Sequence, residues 1–349
     1  MTEPRRKHIF IAEEESGLPY SKGLAASSLM VTGLGPAKCY AVANKVEEEL
    51  RALDHEVISQ ERLRELTLEV LRREAGDRYA EAFIKWQSVA RLDLPLIILI
   101  GGGTGVGKST IATQLATRLG ITRVVSTDAV REVLRSAFTK EMFPTLYSSS
   151  FEADHEVRQP IPHSGDRLII GFREQAAAVA VGAQALIDRA IDEGTDMILE
   201  GAHLVPGFLE KIESDKAVIV PLLVTIDDEE VHRSHFYRRG RDNNTRGQER
   251  YLNAFKKIRR IQKYMISSAA MRGVPQIEHY DLDETLTQVI DHVITRALES
   301  AERGVELQGT DEVLLEQAVE VVGRQREEAK QTAPGNGVPL DHEGREQHA

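Results

Sequence analysis

The sequence predicts an α/β protein with a parallel sheet flanked by helices, preceded by a small, mainly helical region. Three observations carry this. Leu96-Ile97-Ile98-Leu99-Ile100 is an unbroken apolar run ending in glycines, the pattern of a strand buried on both faces. Similar short runs recur at 123–126, 196–199, 217–225 and 276–280, separated by helical segments. The chain before Leu96 instead places its apolar residues at helical spacing.

Taken in order, residues 7–12 are strand-like and 13–18 turn-like, and Pro19-Tyr20-Ser21-Lys22-Gly23 opens a helix with Ser21 as its N-cap. Leu24, Ser28 and Val31 share one helical face. Pro36 restarts the chain, and 37–53 repeats the pattern with Val42, Val46 and Leu50 four apart. Ser59 caps a third helix whose stripe is Leu63, Leu66, Val70 and Leu71. Residues 79–89 form a last helix with the sole tryptophan, Trp86. Asp93-Leu94-Pro95 breaks the pattern, and the domain boundary is placed there: 1–92, then 93–300. Residues 171–193 make a long alanine-rich helix, and 129–136 a shorter one beginning at Asp128. The last 49 residues, 301–349, hold 5 basic and 11 acidic side chains, more than half of the chain's net charge of −11. Residues 313–322 suit a helix, and the remainder reads as a largely disordered acidic tail.

Composition narrows the function. With 41% hydrophobic residues in 349, the chain can bury a large core. Its acidic balance excludes broad, non-specific nucleic-acid binding. Cys39 is the single cysteine, so no internal disulfide or multi-cysteine zinc ribbon can form. No apolar run approaches the ~18 residues that cross a bilayer, and the basic, polar start lacks a leader's apolar stretch. The expectation is a cytoplasmic protein without a membrane partner.

Gly102-Gly103-Thr104-Gly105-Val106-Gly107-Lys108-Ser109 matches G-x-x-x-x-G-K-[ST] in full. The glycines let successive backbone N–H groups turn inward on phosphate oxygens. Lys108 sets a cation on the β/γ phosphates, and the Ser109 hydroxyl can ligate Mg²⁺. A helix from Thr110 onward aims its N-terminal dipole at the same anion. Residues 102–110 are therefore the candidate ATP site, and no register fits the glycine pattern of dinucleotide folds.

Two strand ends add carboxylates. Ser126-Thr127-Asp128 closes the second strand, 20 residues beyond Lys108, where Asp128 can accept a hydroxyl proton or cap the next helix. Glu200 ends the strand Met197-Ile198-Leu199 and suits a group that orients magnesium-bound water. His203 follows on that loop as a candidate substrate contact. Arg131 and Arg135, one turn apart, are candidates to hold an anionic acceptor. Residues 232–263 carry 11 Lys/Arg against 2 Asp/Glu. Within them 237–247 crowds Arg238, Arg239, Arg241 and Arg246 among helix-breaking glycine and asparagines, which reads as a lid closing on a transferring phosphate.

Together these motifs resemble the 2-phosphoglycerate kinase family. The likeness includes Ser126-Thr127-Asp128 with Arg131, the stretch 144–150, the run Ile198-Leu199-Glu200-Gly201-Ala202-His203-Leu204-Val205-Pro206-Gly207, and the arginine-rich lid. It covers about 5–298. The resemblance implies a P-loop kinase fold and magnesium-dependent transfer of the ATP γ-phosphate to the 3-hydroxyl of 2-phosphoglycerate. Lys108, Asp128 and Arg239 would be catalytic, and Ser109 and Glu200 would serve the metal. Residues 1–92 look like an ATP-cone, which implies an allosteric nucleotide there. Docking or dimerisation, and with it a homo-oligomer, is the alternative. Ile11-Ala12 stand where such modules carry a Lys-Arg pair. Two other functions stay open on the residues alone: a kinase for another small hydroxyl compound, and a nucleotide-dependent switch.

Overall fold

The computed structural model describes residues 10–13, 16–53, 57–90, 92, 94–209, 214, 216–242 and 248–302, with the side chains of 10–18, 238–242, 248, 301 and 302 left aside. Residues 7–9, the helix expected at 313–322 and the acidic tail from 303 onward lie outside the description. The described residues belong to one compact unit.

The chain opens with β1 (Phe10–Glu13) and β2 (Ser16–Pro19), then α1 (Lys22–Leu29), α2 (Pro36–Ala52), β3 (Val57–Ser59), α3 (Gln60–Ala75) and α4 (Asp77–Ala90). The segment expected as a turn at 13–18 instead supplies β2, antiparallel to β1, while β3 pairs parallel to β1's other edge. A four-residue strand containing Gly17 and Pro19 carries too little period-2 signal to stand out from a turn. Two expected caps form: Ser21 Oγ accepts from Leu24 N and Ser59 Oγ from Arg62 N. The stripes of these helices meet in a core of their own around Leu29, Val46, Leu50, Val70, Leu71 and Phe83.

The second part runs β4 (Leu96–Gly102), α5 (Lys108–Leu119), β5 (Arg123–Ser126), α6 (Thr127–Ala137), α7 (Arg167–Asp192), β6 (Met197–Gly201), β7 (Val218–Thr225), α8 (Glu229–Asp242), α9 (Gln248–Asn253), α10 (Phe255–Met271), β8 (Gln276–Glu278) and α11 (Leu282–Glu302). The five strands form one parallel sheet in the order β5-β6-β4-β7-β8. Every residue of β4 is buried, as an unbroken apolar run at the sheet's centre requires. Ser126, not Asp128, caps α6, accepting from Ala129 N at 3.2 Å, and Asp128 stands in the first turn. The segment expected to break at 237 stays helical to Asp242 as part of α8. One glycine costs a helix only about 1 kcal/mol, which the rest of α8 outweighs. Among the described residues no helix is long and apolar enough to cross a membrane.

The α-helical N-terminal part rests on α5 and α11. Arg118 of α5, nearly buried, donates to Asp283 of α11 at 2.7 Å. Lys85 of α4 faces Asp291 of α11, and burial lowers the lysine's pKa while raising the aspartate's.

Candidate active site

The C-terminal ends of β4, β5 and β6 open on one side of the sheet, where parallel α/β sheets hold their ligands. A cavity of about 490 Å³ lies there. One wall is the phosphate loop, from Thr104 to Thr110. Asp128, Ser150, Gly201 and Ala202 form another, and His235, His279 and Tyr280–Leu282 a third.

The loop is shaped for an anion. Gly107 precedes α5 at φ 91°, so the first turn of α5 presents its backbone donors to the cavity. Lys108 is 8% exposed, and its ammonium donates to the Gly103 carbonyl at 2.7 Å, placing the cation inside the loop. Gly105 has φ 88°, and a Cβ there would overlap the Phe236 ring, so α8 can lie directly against the loop. Two histidines of α8 complete that contact. His232 Nε2 donates to the Thr104 carbonyl at 2.9 Å, and His235 Nδ1 to the Gly105 carbonyl at 3.0 Å. Burial pushes the His232 pKa down to about 4, which keeps its ring neutral beside Arg259.

The carboxylates divide in role. Ser109 Oγ donates to Glu200 Oε1 at 2.9 Å, joining residues 91 apart in sequence. Two hard oxygens at a strand end beside the phosphate loop suit a magnesium ion. Among the described residues no group of three or more His, Cys, Asp and Glu could hold a metal by protein ligands alone. Asp128 reaches into the cavity, its side chain 77% exposed, with Arg131 Nε at 3.5 Å from Oδ1.

The other expected residues fall as follows. Arg131 is 15% exposed at its side chain and donates through Nη1 to the carbonyls of Leu146 and Ser148, at 3.0 and 3.1 Å. Arg135 pairs with Glu132 and lies over the Tyr147 ring, away from the cavity lining. His203 is 2% exposed and does not line the cavity. Its ring sits between Thr127 Oγ1 and Gln175 Oε1, at 2.9 and 3.1 Å, and burial pushes its pKa down to about 4. The backbone of Arg238, Arg239 and Arg241 belongs to α8, but their side chains lie outside the description, as does Arg246 altogether. Sequence reasoning missed His232, His235, His279, Gln175 and Ser150. The spacing of His232, His235 and Phe236, three and four apart, was a readable helical face, but the arginines around it dominated the segment.

No family model matches the chain. Relatives named 2-phosphoglycerate kinase are similar over most of its length. The protein of Methanothermobacter thermautotrophicus is 38% identical over 303 residues, 85% of this chain and 99% of its own. That of Methanocaldococcus jannaschii is 37% identical over 89% and 98%, and that of Pyrococcus furiosus 39% over 81% and 91%. Solved structures are more distant. A shikimate kinase from Acinetobacter baumannii aligns with 60% of this chain at 18% identity and a TM-score of 0.33. A gluconokinase from Sinorhizobium meliloti does so at 12% and 0.35.

Proposed function

The chain belongs to the 2-phosphoglycerate kinase family, and from that premise we propose how its own residues transfer the γ-phosphate of ATP to 2-phosphoglycerate. The observation that carries the reading is one cavity lined by both the phosphate loop and Asp128. The nucleotide's phosphates lie along residues 102–110, held by backbone donors and by the Lys108 ammonium. Ser109 and Glu200 would hold the magnesium, which when bound neutralises charge on the β and γ phosphates.

2-Phosphoglycerate has one free hydroxyl, on C3, so that oxygen is the nucleophile. Asp128 stands within the same cavity to orient that hydroxyl and receive its proton. The acceptor brings a carboxylate and a phosphate towards ATP, so local cations must offset the repulsion inside an acidic protein. Arg131 pairs with Asp128 through Nε at 3.5 Å. Arg135 stands one turn further on, and Arg238, Arg239, Arg241 and Arg246 follow on and beyond α8, whose face already braces the loop. Arg239 acts on the transferring phosphoryl group, and Arg131, Arg238, Arg241 and Arg246 steady the anions around it, while Arg135 is held away from the cavity by Glu132. Catalysis on this reading is positioning and electrostatic stabilisation of an in-line transfer.

Residues 1–92, with their separate core, serve as a regulatory nucleotide module, 93–300 as the phosphotransfer unit, and 301–349 as an acidic appendage. Phosphorus NMR of the protein with ATP, magnesium and 2-phosphoglycerate tests the reading. The expected result is ADP together with a second phosphomonoester on C3 of the acceptor. An unchanged acceptor spectrum overturns it.

A further inference from the structure

One stretch that reaches the cavity is irregular and belongs to no strand. It runs through the helical turn Pro144–Tyr147 to Ser150, which lines the cavity. Its backbone is fixed from behind by buried side chains. Gln175 of α7, fully buried, donates through Nε2 to the carbonyls of Thr145 and of Ser148, the latter at 2.9 Å. Arg131 donates to the same Ser148 carbonyl and to that of Leu146.

Those bonds determine the ones behind them. The Gln175 amide nitrogen faces two carbonyls, so its oxygen must be the atom facing His203 Nε2. An amide oxygen only accepts, so His203 carries its proton on Nε2. Nδ1 of the neutral ring is then an acceptor, and the Thr127 hydroxyl donates to it. The protons therefore run one way: Thr127 to His203, His203 to Gln175, Gln175 to the wall. Thr127, His203 and Gln175 are each no more than 2% exposed, where an unmade bond is costly. Thr127 also lies on Gly201, where φ is 156° and a Cβ would overlap its hydroxyl. That close approach puts the head of the chain between Asp128, its neighbour in sequence, and Glu200, the neighbour of Gly201.

We propose that Thr127, His203 and Gln175 form a directional hydrogen-bond relay that sets the acceptor-facing wall, Ser148 to Ser150, at a fixed distance from Asp128. His203 is thus a positioning residue and touches no substrate. This rests on the assignment of the cavity to the acceptor, because the segment that the relay holds ends at Ser150, which lines that cavity. It accounts for a histidine sealed from solvent directly after Gly201 and Ala202, which border the cavity.

Three variants of the full chain test it, each compared with the wild type. Thr127→Val keeps the shape and removes the first donor. Thr127→Ser restores that donor. Gln175→Met removes the bonds to the wall. In Thr127→Val and Gln175→Met the KM for 2-phosphoglycerate should rise about tenfold, with the KM for ATP within about twofold of wild type. Thr127→Ser should return close to wild type. Amide hydrogen exchange, which needs no substrate, should accelerate about tenfold over 145–150 in the first and third variants and stay unchanged over 102–109. An unchanged exchange rate over 145–150, or equal acceleration at both segments, would overturn the relay. Failure of the wild type to turn over 2-phosphoglycerate would instead sink the acceptor reading, with the exchange data still deciding the relay.

Discussion

Lys108 is buried, with its stem against Gly102 and its ammonium donating to the Gly103 carbonyl inside the phosphate loop. Lys108→Ala should lower kcat/KM by on the order of 10³-fold, the scale seen when one preorganised donor to a developing charge is lost. Near-normal turnover by the folded variant would contradict the assignment. Glu200→Gln leaves a hydrogen-bonding partner for Ser109 but removes the charge, so the magnesium concentration for half-maximal activity should rise about tenfold or more. Two buried histidines give a pH signature. His203 and His232 have folded pKa values near 4 against about 6.5 when unfolded. Between those values the unfolded chain binds more protons, so the contribution of both rings is complete above pH 6.5 and is lost as pH falls towards 4. The melting temperature should drop between pH 7 and 5, and His232→Gln should flatten that drop. An equally steep drop in the variant would rule out His232 as a source. The positions of the phosphate loop, Asp128 and Glu200 were legible in the sequence because each stands at or just beyond the end of a recognisable strand. The place of His203 was not, since a lone histidine beside a motif looks the same whether it faces the cavity or the core.

At the scale of elements, α8 and the phosphate loop act as a pair. The loop lends its carbonyls at Thr104 and Gly105, and the helix supplies two histidines and the Phe236 ring. His232→Ala leaves the half-buried Thr104 carbonyl without that donor, so it should destabilise by roughly 1 kcal/mol and raise the KM for ATP more than that for the acceptor. An unaltered KM for ATP would show that the loop holds its shape without α8. Alternation of strands and helices revealed the sheet because each strand is a short apolar run between amphipathic helices. The order β5-β6-β4-β7-β8 was not legible, since pairing between strands far apart leaves no local trace. Nor was β2, four residues long with a glycine and a proline. The helical arginine segment was misjudged from Gly240, whose local cost the surrounding helix absorbs.

For the whole molecule, the N-terminal part has its own core yet rests on α5 and α11, the helices that leave the phosphate loop and the Tyr280–Leu282 wall. A chain beginning at Asp93 should fold and bind ATP through Lys108, but with a lower melting temperature, because Arg118, Asp291 and their apolar neighbours lose cover. Aggregation, or loss of all ATP affinity, would show that the two parts are not separable. One cavity joins the phosphate loop to Asp128, where the anionic acceptor is proposed to bind. Steady-state ADP release from the full chain, with 2-phosphoglycerate and with glycerol as acceptors, tests this most directly. One ADP per 2-phosphoglycerate consumed is expected, with negligible turnover of glycerol, which lacks the charges proposed to meet the arginines. Equal turnover of both acceptors, or ATP binding with no acceptor-dependent release, would contradict it.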